Sequence, residues 1–179
     1  MAVKYTEENG QYFIDCTTAL WSTDEIHKCY QDAAHTYGII GFLCDVDFVI
    51  ETQSHILLVE YKNAAIPGAA HPERFNPSSE NKLENVAKKF YDSSHWLYLM
   101  GKDKPKMFIY ILEYPAGNST SRLMVRNKLQ QRLPFALQSK ITGVGRKIID
   151  DVKVVSISEW NSDAELGRYP LQPVGGTAT

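Results

Sequence analysis

At 179 residues, the chain is long enough for one compact domain that buries roughly two thirds of the surface exposed by its unfolded form. Its 44% hydrophobic and 22% charged residues are ordinary for a globular protein, and its net charge of −2 does not by itself indicate a polyanionic partner. No segment approaches the roughly 20 consecutive apolar residues of a membrane span, and the first ten residues lack the apolar core of a signal peptide. We therefore expect a cytoplasmic protein with no membrane contact.

The first predicted helix covers residues 23–38, because Ser22 or Thr23 can cap it and Gly38 suits its end. Residues 39–51 favour extended structure, either as one strand or as two strands bent near residues 41–45. A polar connection of hairpin length follows, and the apolar run ILLVEYKN at 56–63 then predicts a central strand buried on both faces.

A proline-containing loop at 64–79 leads to a second helix over 80–100, with Ser78 or Ser79 as its cap. Three further elements are expected: a strand at 106–114, a helix at 121–137 broken or kinked by Pro134, and a last strand at 152–160. Strands interleaved with helices, some too close together for crossovers, predict an α/β protein with a mixed sheet.

The domain is expected to span residues 1–160. Residues 161–179 carry Gly, Pro and Thr, and we expect them to form a partly disordered tail.

Charges are unevenly distributed along the chain. Residues 1–60 carry ten acids against two bases, whereas no acid lies between Glu113 and Asp150. That stretch holds Lys140 and six bases that we take as candidate nucleic-acid contacts: Arg122, Arg126, Lys128, Arg132, Arg146 and Lys147. A block of one sign predicts either a solvated helix face with a basic loop or a surface for phosphate backbones.

The strand at 56–63 ends in a carboxylate and an ammonium on one face. Because side chains alternate along a strand, Glu60 and Lys62 point the same way, with Cα atoms about 6.5 to 7 Å apart. If the preceding strand pairs with this one as a hairpin, Asp45 or Asp47 comes near Glu60. Two neighbouring carboxylates repel unless a cation lies between them, and Mg²⁺ suits such oxygen ligands. A lysine beside that cation completes a sensible phosphodiesterase site.

The stretch DVDFVIETQSHILLVEYKNA resembles the core of the PD-(D/E)xK nuclease superfamily, and the element order over residues 22–113 is similar to its αβββαβ core. The resemblance implies a restriction-endonuclease-like fold, in which helices flank a central mixed sheet. It implies that Asp47 and Glu60 are metal ligands, with the Tyr61 carbonyl as a further ligand and Lys62 as the catalytic lysine.

Further site residues follow from the same resemblance. Asp45 is the alternative to Asp47 as the ligand. On the first helix Glu25 is the candidate acid near the metal, with Asp32 second. The helix after the Glu60 strand lies near the site in this superfamily, and Lys88 is our candidate there, beside Lys89.

Context separates the Glu60 motif from two others of the same form. The pattern [DE]-x-K occurs three times, as Glu60/Lys62, Glu80/Lys82 and Asp151/Lys153. Glu80 begins a helix, where an acid is favourable, and Asp151 has no acid-bearing strand before it. The Glu60 pair alone ends an apolar strand that closely follows an acid-bearing strand.

Other catalytic patterns are weak. The three cysteines have no CxxC spacing, which is typical of reduced structural thiols, and the five histidines have no zinc spacing. The segment TGVGRK lacks the P-loop pattern, although its glycines and bases could contact a phosphate. No GxSxG turn supports a Ser-His-Asp triad.

The expected function is that of a Mg²⁺-dependent nuclease, with Mn²⁺ able to substitute and DNA favoured over RNA. Water activated at the metal would attack the phosphorus, and Lys62 would orient that water or stabilise charge on the phosphate. Homodimerisation is left open. The alternatives are a catalytically inactive nucleic-acid-binding module and a protein-interaction or assembly domain with the same fold.

Overall fold

Two β-sheets organise the protein in the computed structural model, which describes residues 2–38, 43–66, 68–69, 71–143 and 145–175. The strands are β1 (Lys4–Thr6), β2 (Tyr12–Asp15), β3 (Trp21–Thr23), β4 (Phe48–Glu51), β5 (Ile56–Asn63), β6 (Lys106–Glu113), β7 (Ile149–Val155) and β8 (Leu171–Pro173). The α-helices are α1 (Ile26–Tyr37), α2 (Glu80–Leu99), α3 (Ser119–Gln130), α4 (Phe135–Lys140) and α5 (Ile157–Ser162). Short 3-10 helices lie at Pro72–Arg74 and Leu166–Arg168.

The larger sheet has five strands in the order β3-β4-β5-β6-β7. Strands β3, β4 and β5 pair antiparallel, whereas β5, β6 and β7 pair parallel, so the sheet is mixed. Helices flank it, which confirms the α/β class and the central position of β5.

Both faces of this sheet are covered, which explains the apolar run of β5. Leu58 belongs to a core shared with α2 and α3, which includes Phe90 and Val125. Leu57 belongs to a second core, formed with α5 and the small sheet β1-β2-β8. Since successive side chains point to opposite faces, both sets along β5 must be apolar.

The start of the first helix differs from the prediction. Residues Trp21–Thr23 form strand β3, which pairs antiparallel with β4, and α1 begins only at Ile26. The Thr23 hydroxyl accepts a hydrogen bond from the Glu25 backbone N–H at 3.0 Å. The third antiparallel strand therefore precedes the helix. Of the extended segment predicted after it, residues 39–42 lie outside the described part, and 43–46 contain no strand.

The last predicted strand ends early. Strand β7 stops at Val155, and residues 157–162 form α5. Ser156 and Glu159 form a reciprocal capping box: the Ser156 hydroxyl accepts from the Glu159 N–H at 3.0 Å, and Glu159 Oε2 accepts from the Ser156 N–H at 2.8 Å. This local pairing starts a helix where apolar alternation had suggested a strand.

The segment predicted to be a partly disordered tail packs against the domain over residues 161–173. Leu166, Tyr169 and Leu171 are buried against Trp160, and the Trp160 indole N–H donates to the Tyr169 carbonyl at 2.8 Å. Strand β8 pairs with β2. The fold therefore includes residues 161–173, while residues 176–179 lie outside the described part.

Among the helices of the described residues, none has the length and apolar character that a membrane crossing requires.

Candidate functional site

Strands β4 and β5 bring Asp47 and Glu60 together on the face of the sheet that α2 covers. Phe48 pairs with Val59, so one further step along the antiparallel ladder puts Asp47 opposite Glu60. Asp47 Oδ2 accepts a hydrogen bond from the Tyr61 backbone N–H at 2.6 Å. The hairpin thus produces the pair of carboxylates that the sequence suggested.

Lys89 of α2 is the cation beside this pair. Its Nζ atom donates to both carboxylate oxygens of Glu60, at 2.8 Å each. The Glu60 side chain is only 8% exposed, and that of Lys89 is 27% exposed. Val86 and Ser93 are buried three residues before and four residues after Lys89, so helical spacing turns Lys89 toward the sheet.

Lys62 lies on the same face one pleat further along and is exposed. Burial, followed by the charge of Lys62, lowers the pKa of Lys82, which indicates that the two ammonium groups are near each other. Within the described residues, no hydrogen bond or ion pair joins Lys62 to Glu60. The catalytic role of Lys62 stays a prediction, and Lys89, which the sequence offered only together with Lys88, is the lysine that contacts Glu60.

Lys88, the candidate on this helix, pairs with a different acid. It forms an i,i+4 ion pair with Asp92 at 3.8 Å, and its side chain is 44% exposed. The helical stripe that turns Lys89 inward could have separated these adjacent lysines.

An open cleft of about 530 Å³ exposes Asp47 and Lys89 of this group to solvent. Its acidic and basic lining residues are Glu7, Glu8, Asp24, His27, Asp45, Asp47 and Lys89. The cleft is thus rich in carboxylates. The lining includes Asp24, while Glu25 and Asp32, the candidate acids of the first helix, are exposed and absent from it.

Asp45 and Asp47 have different partners. The His27 ring donates through Nδ1 to Asp45 Oδ1 at 3.2 Å, and Gln31 contacts His27 Nε2 at 2.6 Å. Asp47 instead lies beside Glu60 and the Tyr61 amide. This difference supports Asp47 over Asp45 as the partner of Glu60.

Burial dominates the electrostatics of the carboxylates. It raises the pKa of Asp47 and of Asp45, and burial followed by the charge of Asp47 raises the pKa of Glu60 well above its ordinary range. Burial alone would lower the pKa of the Lys89 ammonium, but the charges of Glu60 and Asp47 raise it. Asp47 and Glu60 therefore share Lys89, whereas Asp45 also contacts His27, so the two adjacent carboxylates have one ammonium between them.

The donor set fits a hard divalent cation. Within the described ranges, no group of three or more His, Cys, Asp or Glu side chains is arranged to hold a metal ion. Mg²⁺, however, often takes only one or two carboxylates together with backbone oxygen and water. Asp47 and Glu60 supply two carboxylates. Because the N–H and C=O of one strand residue point to the same side, the Tyr61 carbonyl also faces the Asp47 side.

Most of the predicted nucleic-acid contacts on α3 are ion-paired. Arg122 is buried and forms a bidentate pair with Glu159 at 2.8 and 2.9 Å. Arg126 lies 3.5 Å from Asp151 and donates to the Val152 carbonyl at 3.1 Å. These arginines attach α3 to β7 and α5.

The rest of the basic block is more exposed, apart from Arg132, whose side chain is 22% exposed. Arg132 pairs with Glu80, Arg146 with Asp103, and Lys147 with Asp150 at 3.4 Å. Lys128 and Lys140 are exposed. Arg146 and Lys147 precede β7 and lie near the start of the parallel strands, whereas Glu60 is near the end of β5. The acidic cleft and the exposed pair Arg146 and Lys147 are therefore at opposite ends of the sheet.

A Ser-His-Asp chain occurs at the β4–β5 turn. Ser54 Oγ lies 2.8 Å from His55 Nδ1, and His55 Nε2 lies 3.1 Å from Asp150 Oδ2. The backbone N–H groups of Ser54 and His55 both donate to Thr52 Oγ1, so they are not available to stabilise an oxyanion. The chain stabilises the turn.

A scan against protein-family models, a search of curated proteins and a search of solved structures each found no match for this chain. The likeness to PD-(D/E)xK nucleases stays a hypothesis based on Asp47, Glu60 and Lys62.

Proposed function

We propose that this protein is a divalent-cation-dependent nuclease of the restriction-endonuclease-like class, which hydrolyses phosphodiester bonds, in DNA rather than RNA. One observation carries the proposal. Asp47 is half-buried and lines an open, acidic cleft, and the buried Glu60 lies opposite it on the neighbouring strand; both have raised pKa values, and Lys89 lies beside them. Clustered carboxylates with perturbed pKa values in a cleft are typical of functional sites.

Each residue of the site has a different role in this proposal. Asp47 and Glu60 would hold the cation with the Tyr61 carbonyl, and the Tyr61 N–H fixes the orientation of the Asp47 carboxylate. When bound, Mg²⁺ would polarise the phosphate and lower the pKa of a water molecule. Lys62, exposed at the end of β5, would contact the phosphate from the solvent side.

The arrangement of β4, β5, α2 and β6 also supports the restriction-endonuclease-like class. Strands β4 and β5 form the antiparallel hairpin, and β6 returns parallel to β5 after α2. These four elements correspond to the last four of the αβββαβ order. The strand next to β4 departs from that order, because it precedes α1.

The test is cleavage of a labelled panel of single-stranded, duplex and branched DNA and of RNA, with Mg²⁺ or Mn²⁺. We expect metal-dependent cleavage that falls at least about 100-fold in Asp47→Asn and in Glu60→Gln. Glu80→Gln is the matched control, because Glu80 belongs to the same [DE]-x-K pattern but is exposed and pairs with Arg132. Absence of cleavage on every substrate, or equal activity in all variants, would contradict the proposal.

A non-catalytic module is the second candidate, and the Glu60–Lys89 pair favours it. Two contacts of 2.8 Å satisfy Glu60 without a metal, as in a structural ion pair. A nucleic-acid-binding module would show salt-sensitive binding without cleavage. An assembly domain would instead form a stable oligomer without affinity for nucleic acid.

A further inference from the structure

Lys89 occupies the coordination space of Glu60. Its ammonium lies 2.8 Å from both Oε atoms, so the same nitrogen contacts both atoms that would bind a cation. A carboxylate can accept several hydrogen bonds, but a cation that takes Glu60 in a bidentate manner must replace this contact.

Electrostatic repulsion also disfavours the Lys89 ammonium and a divalent cation beside Glu60 at the same time. An ammonium and a divalent ion a few ångströms apart repel each other strongly in a site that is largely shielded from water. Glu60 is 8% exposed, so solvent screens this repulsion poorly. Lys89 and a divalent cation are therefore competitors at Glu60.

The side chain of Lys89 has room to move away from Glu60 within the cleft. It is 27% exposed and lines the cleft together with Asp45 and Asp47. The charges of Asp47 and Asp45 both attract its ammonium. Because a lysine side chain has a flexible four-carbon stem, it can leave Glu60 and still stay at the cleft.

We infer that Lys89 is a gate at this site: its ammonium neutralises Glu60 until a divalent cation takes its place, and it then remains in the cleft as a contact for the anionic substrate. The inference rests on the proposed function. It assigns Lys89 a positioning role that Lys62 does not share, and it sets an order in which the cation binds before the phosphate.

Calorimetric titration of Mn²⁺ into the full chain tests this, with no nucleic acid present. Lys89→Met removes the competing charge, and we expect Mn²⁺ to bind about tenfold more tightly or better. Lys88→Met is the matched control, since it removes a more exposed ammonium from the neighbouring position of α2, and its affinity should equal that of the wild type. Glu60→Gln should weaken binding.

Stability provides a second readout. Lys89→Met leaves a buried carboxylate without its partner, so its melting temperature should fall without Mn²⁺ and rise more with Mn²⁺ than that of the wild type. If Lys89→Met does not fold, Lys89→Arg keeps the charge and can pair with Glu60 in a bidentate manner. Lys89→Arg should bind Mn²⁺ more weakly than the wild type, and equal or tighter binding would overturn the inference.

The outcomes separate the two proposals. Wild type that binds Mn²⁺, with Lys89→Met binding equally or more weakly, overturns the gate and leaves the metal site intact. Absence of Mn²⁺ binding in both proteins, or binding that Glu60→Gln does not weaken, overturns the proposed function and the gate with it.

Discussion

Glu60 is a carboxylate in the middle of a buried sheet with one ammonium beside it. Burial and the neighbouring charge of Asp47 favour its protonated form, and Lys89 favours its ionised form. The net result is a pKa well above the ordinary range. The folded protein therefore holds this proton more tightly than the unfolded chain does.

This shift has a definite sign in a stability measurement. As pH rises from about 4.3, the ordinary value for Glu, toward the raised pKa, the unfolded chain loses its proton first. The free energy of unfolding of the wild type should therefore fall relative to that of Glu60→Gln over this window. Urea denaturation at a series of pH values measures the difference. If the free energies of unfolding of the two proteins change with pH in the same way, the pKa of Glu60 is not raised.

The carboxylate pair could be predicted because it depends on local rules. Alternation along β5 and the short turn before it put Asp47 near Glu60. The lysine was harder to predict. Helical spacing indicates that Lys89 faces inward, but its contact with Glu60 depends on how α2 crosses the sheet, which no local pattern gives.

At the scale of elements, α5 is fixed by its first turn. The Ser156–Glu159 capping box begins the helix, and Glu159 also receives the bidentate contact of Arg122 from α3. The hydrogen bond from Arg122 lowers the pKa of Glu159, and this effect outweighs burial, which raises it. The pattern S-I-S-E was readable in the sequence, where apolar alternation from β7 masked it.

Ser156→Ala should remove this cap. We expect the free energy of unfolding to fall by about 1 kcal/mol, because a buried helix start loses the acceptor for one N–H group. Ser158→Ala is the matched control: this serine is in the same helix and exposed, and its loss should change little. Equal stability of the two variants in urea would show that the capping box is not what starts α5.

Strand β7 is an edge strand whose backbone is partly covered. The Val152 N–H donates to Asp151 Oδ1 at 2.8 Å, and the Val152 carbonyl accepts from Arg126 at 3.1 Å. Such contacts protect an edge from pairing with another chain. Arg126 therefore has a structural task that its place in a basic block did not reveal.

At the scale of the whole molecule, the two ends of the described chain meet in the small sheet. Strand β2, which also pairs with β1, pairs with β8 near the C-terminus, and together with α5 this sheet covers the second face of the large sheet. Pairing between segments more than 150 residues apart leaves no signal in a local pattern. The Gly and Pro content of residues 161–179 therefore predicted a tail, whereas residues 161–173 pack against the large sheet.

Truncation tests whether residues 161–173 contribute to the stability of the fold. A chain ending at residue 160 loses Leu166, Tyr169 and Leu171, whose burial contributes about 1.5 to 3 kcal/mol each. We expect it to unfold at much lower urea concentration or not to fold. A chain ending at residue 175 should match the full chain. Similar midpoints for both would contradict the ordered C-terminal segment.

The distribution of charge makes a prediction for nucleic-acid binding. Because Arg146 and Lys147 are exposed, with side chains 72% and 71% accessible, their pairs with acids leave them able to contact phosphates. The double variant Arg146→Ala/Lys147→Ala should lower affinity and reduce the salt slope by about 1 per lost phosphate contact. Arg122→Ala should destabilise the fold and leave the slope unchanged. The reverse pattern would place the binding surface on α3.

Paramagnetic broadening of backbone amide signals by Mn²⁺ shows whether Asp47 and Glu60 form a divalent-cation site. Substoichiometric Mn²⁺ should broaden the signals of Asp47, Tyr61 and Lys89 selectively, leave those of the basic block sharp, and lose this selectivity in Glu60→Gln. No selective broadening, or broadening centred on other residues, would show that the two carboxylates do not bind the cation.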